Sequence, residues 1–98
     1  MPHMLDNEYR KILKGELLRR SRANQTYSLR AFARDMSIEP GQLSRVLSGS
    51  KNISLTTART IAEKIFSTER EKTYFLCLVE YTLTKKQDQK QLVLRRLE

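Results

Sequence analysis

A chain of 98 residues sets a single small domain, and its one cysteine and one histidine exclude an internal disulfide and a conventional structural zinc site. Nineteen Lys and Arg against eleven Asp and Glu give a net charge of +8 and a pI near 10.0, a balance that suits a polyanionic partner. With 39% hydrophobic and 31% charged residues, and only three glycines and two prolines for tight hairpins, the expected class is all-α.

Residues 1–4 carry no pattern and stand outside the fold as a disordered start. A first helix is expected from about Leu5 to Ala23. Leu5, Tyr9, Ile12, Leu13 and Leu17 trace its apolar stripe, while Arg10, Lys11, Lys14 and Arg19 stay in water. Gly15 inside it costs roughly 1 kcal/mol against alanine, or marks close packing. Arg19, Arg20 and Arg22 fall in the last turn, where cations complement the helix dipole. Asn24 to Tyr27 is a polar connection.

The second helix begins at Ser28, a good N-cap, and places Leu29, Phe32, Ala33 and Met36 on one face. Pro40 is expected to break it through the residues before it, and to open the third helix at a position where a missing N–H costs nothing. In that third helix, 40–48, Leu43, Val46 and Leu47 face inward and Gly49 stops the helix. Gly41, Gln42, Ser44, Arg45 and Ser48 remain outside: small, polar and basic, with no carboxylate among them.

Ser50 to Ile53 is a loop with Ile53 tucked inward. Ser54 caps a fourth helix, Leu55 to Phe66, and Thr68 with Glu71 forms a capping box for a fifth that runs to about Thr84. The fifth helix is apolar nearly all round, since Tyr74, Leu76, Cys77 and Tyr81 accompany Phe75, Leu78 and Val79. It therefore needs cover on more than one side: a sixth helix at about 87–97, a second subunit, or a further domain. Tyr74, Leu76, Cys77 and Tyr81 are the candidate dimer face. Cys77 is expected to be a buried, inert thiol.

From Arg19 to Arg59 eight basic residues face only Asp35 and Glu39, so the charge is concentrated around the second and third helices. Residues 1–15 lack the apolar core of a signal peptide, and the Tyr74–Val79 run is too short to span a bilayer, so a cytoplasmic protein without membrane contact is expected. His3 and Cys77 offer no nucleophile–base pair, and no glycine loop cradles phosphate, so no catalytic residue, cofactor or metal is expected.

The run SLRAFARDMSIEPGQLSRVLSGSKNISLTTARTIAEKI, Ser28 to Ile65, resembles the lambda-repressor-like helix-turn-helix of the XRE class. The resemblance rests on the Ser cap, Ala33, Ile38 in the turn, the Leu-Ser-Arg-Val run, Gly49, and Ile-Ser-Leu before the fourth helix. A narrower similarity, in the first helix, SLRAFAR and LSxVLSG, is to bacterial regulators that carry such a domain at the N-terminus of a longer chain. The resemblance implies a five- to six-helix domain over residues 5–84. Residues 85–98 would then be a C-terminal helix, serving for dimerisation or leading into a second domain. It implies sequence-specific binding of double-stranded DNA by a homodimer acting in transcription regulation. The 40–48 helix would lie in the major groove, with half-sites roughly 34 Å apart.

On that plan Gln42 reads adenine and Arg45 guanine, with Pro40 and Gly41 at the base edges beside them. Ser28, Arg30, Ser44, Ser48, Lys51, Asn52, Ser54 and Thr56 face the phosphates. Leu29 departs from the glutamine common after the second-helix cap, and Pro40 and Gly41 stand where Gln or Ser is common; both changes remove donors. Two alternatives to base reading stay open. One is a protein-interaction module that keeps the helix-turn-helix shape, and the other is nucleic-acid binding without sequence preference. In either, Gln42 and Arg45 are simply exposed helix residues.

Overall fold

The computed structural model describes residues 7–84 and 95–97. The expectations for residues 1–4 and Leu5, and for most of the 87–97 helix, lie outside these residues. Among the described residues the chain is all-helical, with α1 (Glu8–Ala23), α2 (Leu29–Met36), α3 (Pro40–Ser48), α4 (Leu55–Ile65), α5 (Glu69–Leu83) and a helical turn at 95–97. No helix among them is long and apolar enough to cross a membrane.

One core runs through all five helices. Tyr9 and Leu13 come from α1, Phe32, Ala33 and Met36 from α2, and Leu43 and Val46 from α3; all are buried. Ala58, Ile61 and Ala62 of α4 and Phe75, Leu78 and Val79 of α5 complete it, with Ile53 inserted from the loop between α3 and α4. α4 and α5 form the most extensive helix pair. At the centre Phe75 meets the Tyr9 ring edge-on at 6.4 Å and the Phe66 ring at 5.6 Å. Full burial of a phenylalanine contributes about 1.5–3 kcal/mol, so this cluster ties α5 to both α1 and the end of α4.

The helix ends follow their local chemistry, with two corrections. The Ser28, Ser54 and Thr68 hydroxyls accept from the N–H groups of Ala31, Thr57 and Glu71 at 3.1–3.2 Å. The Glu71 carboxylate takes the Thr68 hydroxyl at 2.8 Å rather than the Thr68 backbone N–H expected of a capping box. The end of α2 is also not the proline's work. Ser37 stops that helix in the left-handed conformation (φ 61°), with Ile38 N–H donating back to Ala33 O at 2.9 Å. The proline restriction falls on Glu39 instead, which is extended at φ −66° and ψ 134°. Gly49 (φ 92°) closes α3 in the same left-handed way, with Ser50 N–H on Arg45 O at 3.0 Å. Gly15 has open space around its α-carbon, so it marks no close packing.

A second tie joins α1 to α2. Arg20 pairs with Glu16 at 2.7 Å and reaches Asp35 at 3.3 Å, while the Tyr27 hydroxyl donates to Asp35 at 2.6 Å. Arg20 thus serves as a cross-helix strut as well as a last-turn cation.

Of the four residues of the candidate dimer face, two are covered within the chain. Cys77 and Tyr81 are buried within the chain, with Leu97 packed against them and Arg96 bridging to Glu80 at 2.7 Å. Leu76 is half-buried against the core, and of the four only Tyr74 is largely exposed. The cover is the helical turn at 95–97, which falls within the 87–97 stretch offered as one of the three possible covers of α5.

Candidate nucleic-acid interface

The turn from Ser37 to Glu39 sets α3 beside α2, with Leu43 and Val46 anchored in the core. Helical periodicity then turns the remaining α3 side chains outward. Pro40, Ser44, Arg45 and Ser48 are exposed, and Gly41 and Gln42 are half-buried. Lys51, Asn52, Ser54 and Thr56 follow as exposed positions in the loop and at the start of α4. Ser28 and Arg30 are exposed at the start of α2.

Several of these groups already have work inside the protein. The Ser28 and Ser54 hydroxyls are helix caps. The Ser48 hydroxyl donates to Arg45 O at 3.0 Å and lies 3.3 Å from the Ser50 hydroxyl. Asn52 is turned inward through its oxygen, which accepts from the Tyr9 hydroxyl at 3.1 Å and from the Arg10 guanidinium. The phosphate contact expected at Asn52 would then fall to its amide nitrogen.

Arg10, expected in water, is buried with 7% of its surface exposed. It lies over the Tyr9 ring, 4.9 Å from the centroid, and spreads its donors across the end of α3 and the loop beyond. Nε donates to Val46 O at 2.9 Å, Nη1 to Asn7 Oδ1 at 2.9 Å, and Nη2 to Lys51 O at 3.1 Å and to Asn52 Oδ1. A planar guanidinium can serve so many acceptors because its donors form a fixed fork. All four acceptors are neutral, and the Val46 carbonyl belongs to the negative end of the α3 dipole, where a cation is favourable. Burial raises the Tyr9 pKa, and the adjacent Arg10 charge offsets part of that rise. A spacing signal for Arg10 exists: it precedes Leu13 by three residues and Leu17 by seven, on the face that turns inward.

The other end of α3 holds the second group that composition hides. Glu39 is the N-cap, and its carboxylate accepts from Gly41 N–H at 2.9 Å and Gln42 N–H at 2.8 Å. These two hydrogen bonds, with the nearby charges of Arg45 and Lys51, hold the Glu39 carboxyl below the usual range. The outer face of α3 is therefore free of carboxylates along its length but acidic at its leading end. Glutamate is not among the preferred N-caps, which is why Ser28 and Ser54 are evident from sequence and Glu39 is not.

Between α1 and the end of α3 lies a cleft of about 400 Å³, lined by Arg10, Lys11, Lys14, Ser48 and Gly49 among others. Among the described residues no group of three or more His, Cys, Asp or Glu comes together to hold a metal ion. Compared with protein-family models, with curated proteins and with solved structures, the chain matches none.

Proposed function

We propose that this chain binds double-stranded DNA as a bacterial transcriptional regulator with a lambda-repressor-like helix-turn-helix, α3 lying in the major groove. The observation that carries the reading is the arrangement of α3: a short helix after a three-residue turn, apolar inside, with Ser44, Arg45 and Ser48 in solvent and Lys51 just beyond. The net charge of +8 supplies the attraction to phosphate. Arg45 and the half-buried Gln42 are the base-reading side chains, with Pro40 and Gly41 close to the base edges. Lys51, the Asn52 amide and the hydroxyls of Ser28, Ser44 and Thr56 are the phosphate contacts, with Arg30 adding attraction. The α4 N-terminus after Ser54 offers N–H groups of the kind that take phosphate. Two copies on half-sites about one helical turn apart complete the proposal.

Binding to duplex DNA measured across salt concentration tests it. The expected result is affinity that falls steeply as salt rises, because each phosphate contact releases counterions. Arg45→Ala should cost about 1–3 kcal/mol at one base position, and Lys51→Ala should weaken all sequences alike. Affinity that ignores salt, or no retained duplex, sinks the proposal.

A groove of about 720 Å³ favours a second reading, a protein-interaction module. Ile12, Phe66, Leu97 and the exposed Tyr74 line its apolar part. Capture of a protein partner that Tyr74→Ala abolishes, by a chain that retains no duplex, would decide for that reading.

A further inference from the structure

We infer that Glu39 is a specificity-determining residue of the proposed interface, an acceptor-only group at the leading end of α3 that selects cytosine. The inference rests on the DNA-binding reading and deepens it. Its basis is the way three consecutive residues build this end of the helix.

Pro40 occupies the first helical position and has no N–H, so the first free donors of α3 are those of Gly41 and Gln42. The extended backbone of Glu39 folds its side chain over both, one oxygen to each. Gly41 makes the room: a Cβ there would lie 3.1 Å from Oε2 and 3.2 Å from Oε1 of Glu39. The sequence Glu-Pro-Gly thus fixes a carboxylate at the tip of the helix by two charge-assisted hydrogen bonds.

An ionised carboxylate offers about four acceptor sites. Two are used by the helix, and the rest remain on an exposed group. No ion pair engages Glu39 among the described residues, since Arg45 and Lys51 act on it from a distance. A helix N-terminus is ordinarily a place for a phosphate. Here the protein's own anion fills it, so this end of α3 repels phosphate and seeks a donor.

The major groove narrows the choice of donor. Guanine presents two acceptors, N7 and O6, and thymine presents O4 beside a methyl group. Adenine has an amine, but with the N7 acceptor next to it. Cytosine alone shows an amine and no acceptor on its edge. A fixed carboxylate is therefore matched by cytosine and meets a repulsive oxygen or nitrogen at each other base, so it selects by penalty as well as by attraction.

The test is selection of bound sequences from random duplexes by the native chain, Glu39→Gln and Glu39→Ser. Serine is itself a good N-cap, so Glu39→Ser keeps the helix start while removing the carboxylate; helical circular dichroism checks that all three fold. The native chain should enrich cytosine at one position by roughly tenfold over the other bases, within the usual discrimination at a single base pair. Glu39→Gln should move that position toward adenine, which glutamine pairs with through two groups. Glu39→Ser should erase the preference there and leave every other position unchanged. The same preference in all three proteins overturns the role of Glu39 while leaving DNA binding intact. A native chain that retains no duplex overturns both.

Discussion

At its N-terminal end α3 is held by an exposed carboxylate one residue before its start, whereas at its C-terminal end it is held by Arg10, 36 residues earlier than the Val46 carbonyl it grips. Both groups complement the helix dipole, the anion at the N–H end and the cation at the carbonyl end. They differ in how much depends on them. Glu39 organises only its own turn. Arg10 joins α1, the last turn of α3 and the loop carrying Lys51 and Asn52, so a single side chain sets where the loop stands relative to the helix. The comparison separates local capping, which tunes one helix, from a buried tie, which places two parts of a surface together.

Removing the tie should have the larger effect. Arg10→Met keeps much of the side-chain volume but takes the guanidinium donors from the Lys51 carbonyl and the Asn7 amide oxygen, while Val46 O keeps only the Gly49 N–H and the Asn52 oxygen only the Tyr9 hydroxyl. Hydrogen bonds to charged groups contribute about 1.5–3 kcal/mol each, and part of that is returned because a cation no longer has to be buried. A net loss of about 2–4 kcal/mol in denaturant unfolding is expected, with faster amide exchange at residues 50–53. A loss under about 1 kcal/mol would show the network to be incidental and would erase the contrast between the two ends. Tyr9→Phe sharpens the same point. It removes one of the two bonds to the Asn52 oxygen and leaves the Arg10 bond, so about 0.5–1.5 kcal/mol is expected.

The same contrast explains what the sequence reveals and what it conceals. The five helices, the inward positions of α2 and α3, and the serine and threonine caps follow from periodicity and local chemistry, and Ile53 is inside as the loop pattern implies. Contacts between distant segments do not follow in this way. Arg10 is an arginine among other basic residues, and nothing local indicates that its acceptors are supplied from residues 46–52. The apolar side of α5 at Tyr81 and Cys77 shows that cover is needed but not which of a sixth helix, a second subunit or a further domain supplies it, because the covering residue, Leu97, returns from beyond the helix. Glu39 is an intermediate case. Its place before Pro-Gly is local information, but a glutamate there suggests a loop charge until the backbone brings both N–H groups under it. At the proposed interface the scaffold is legible, and so is the inward spacing of Arg10, but the partners that Arg10 and Glu39 hold at the two ends of α3 are not.

Acid should distinguish the two ends with the smallest effect of all. Glu39 has a folded pKa below the ordinary value of 4.5, chiefly through the Gly41 and Gln42 N–H groups. Its ionised form is thus favoured by folding, and the cap contributes fully above pH 4.5. That contribution fades as pH falls from there through the lower folded value, where the native carboxylate finally takes a proton. The Arg10 end contains no carboxylate to protonate, since its acceptors are carbonyl and amide oxygens. Glu16 also has a lowered pKa, through Arg19 and Arg20, so acid weakens the native chain for more than one reason. The difference between the native chain and Glu39→Gln isolates the cap, because glutamine at that position does not titrate. Unfolding of both proteins along a pH series should show the native chain ahead near neutrality, the gap closing only below pH 4.5. A gap that stays constant through that range would mean the carboxylate is not held by the helix, and that the leading end of α3 is not fixed by charge.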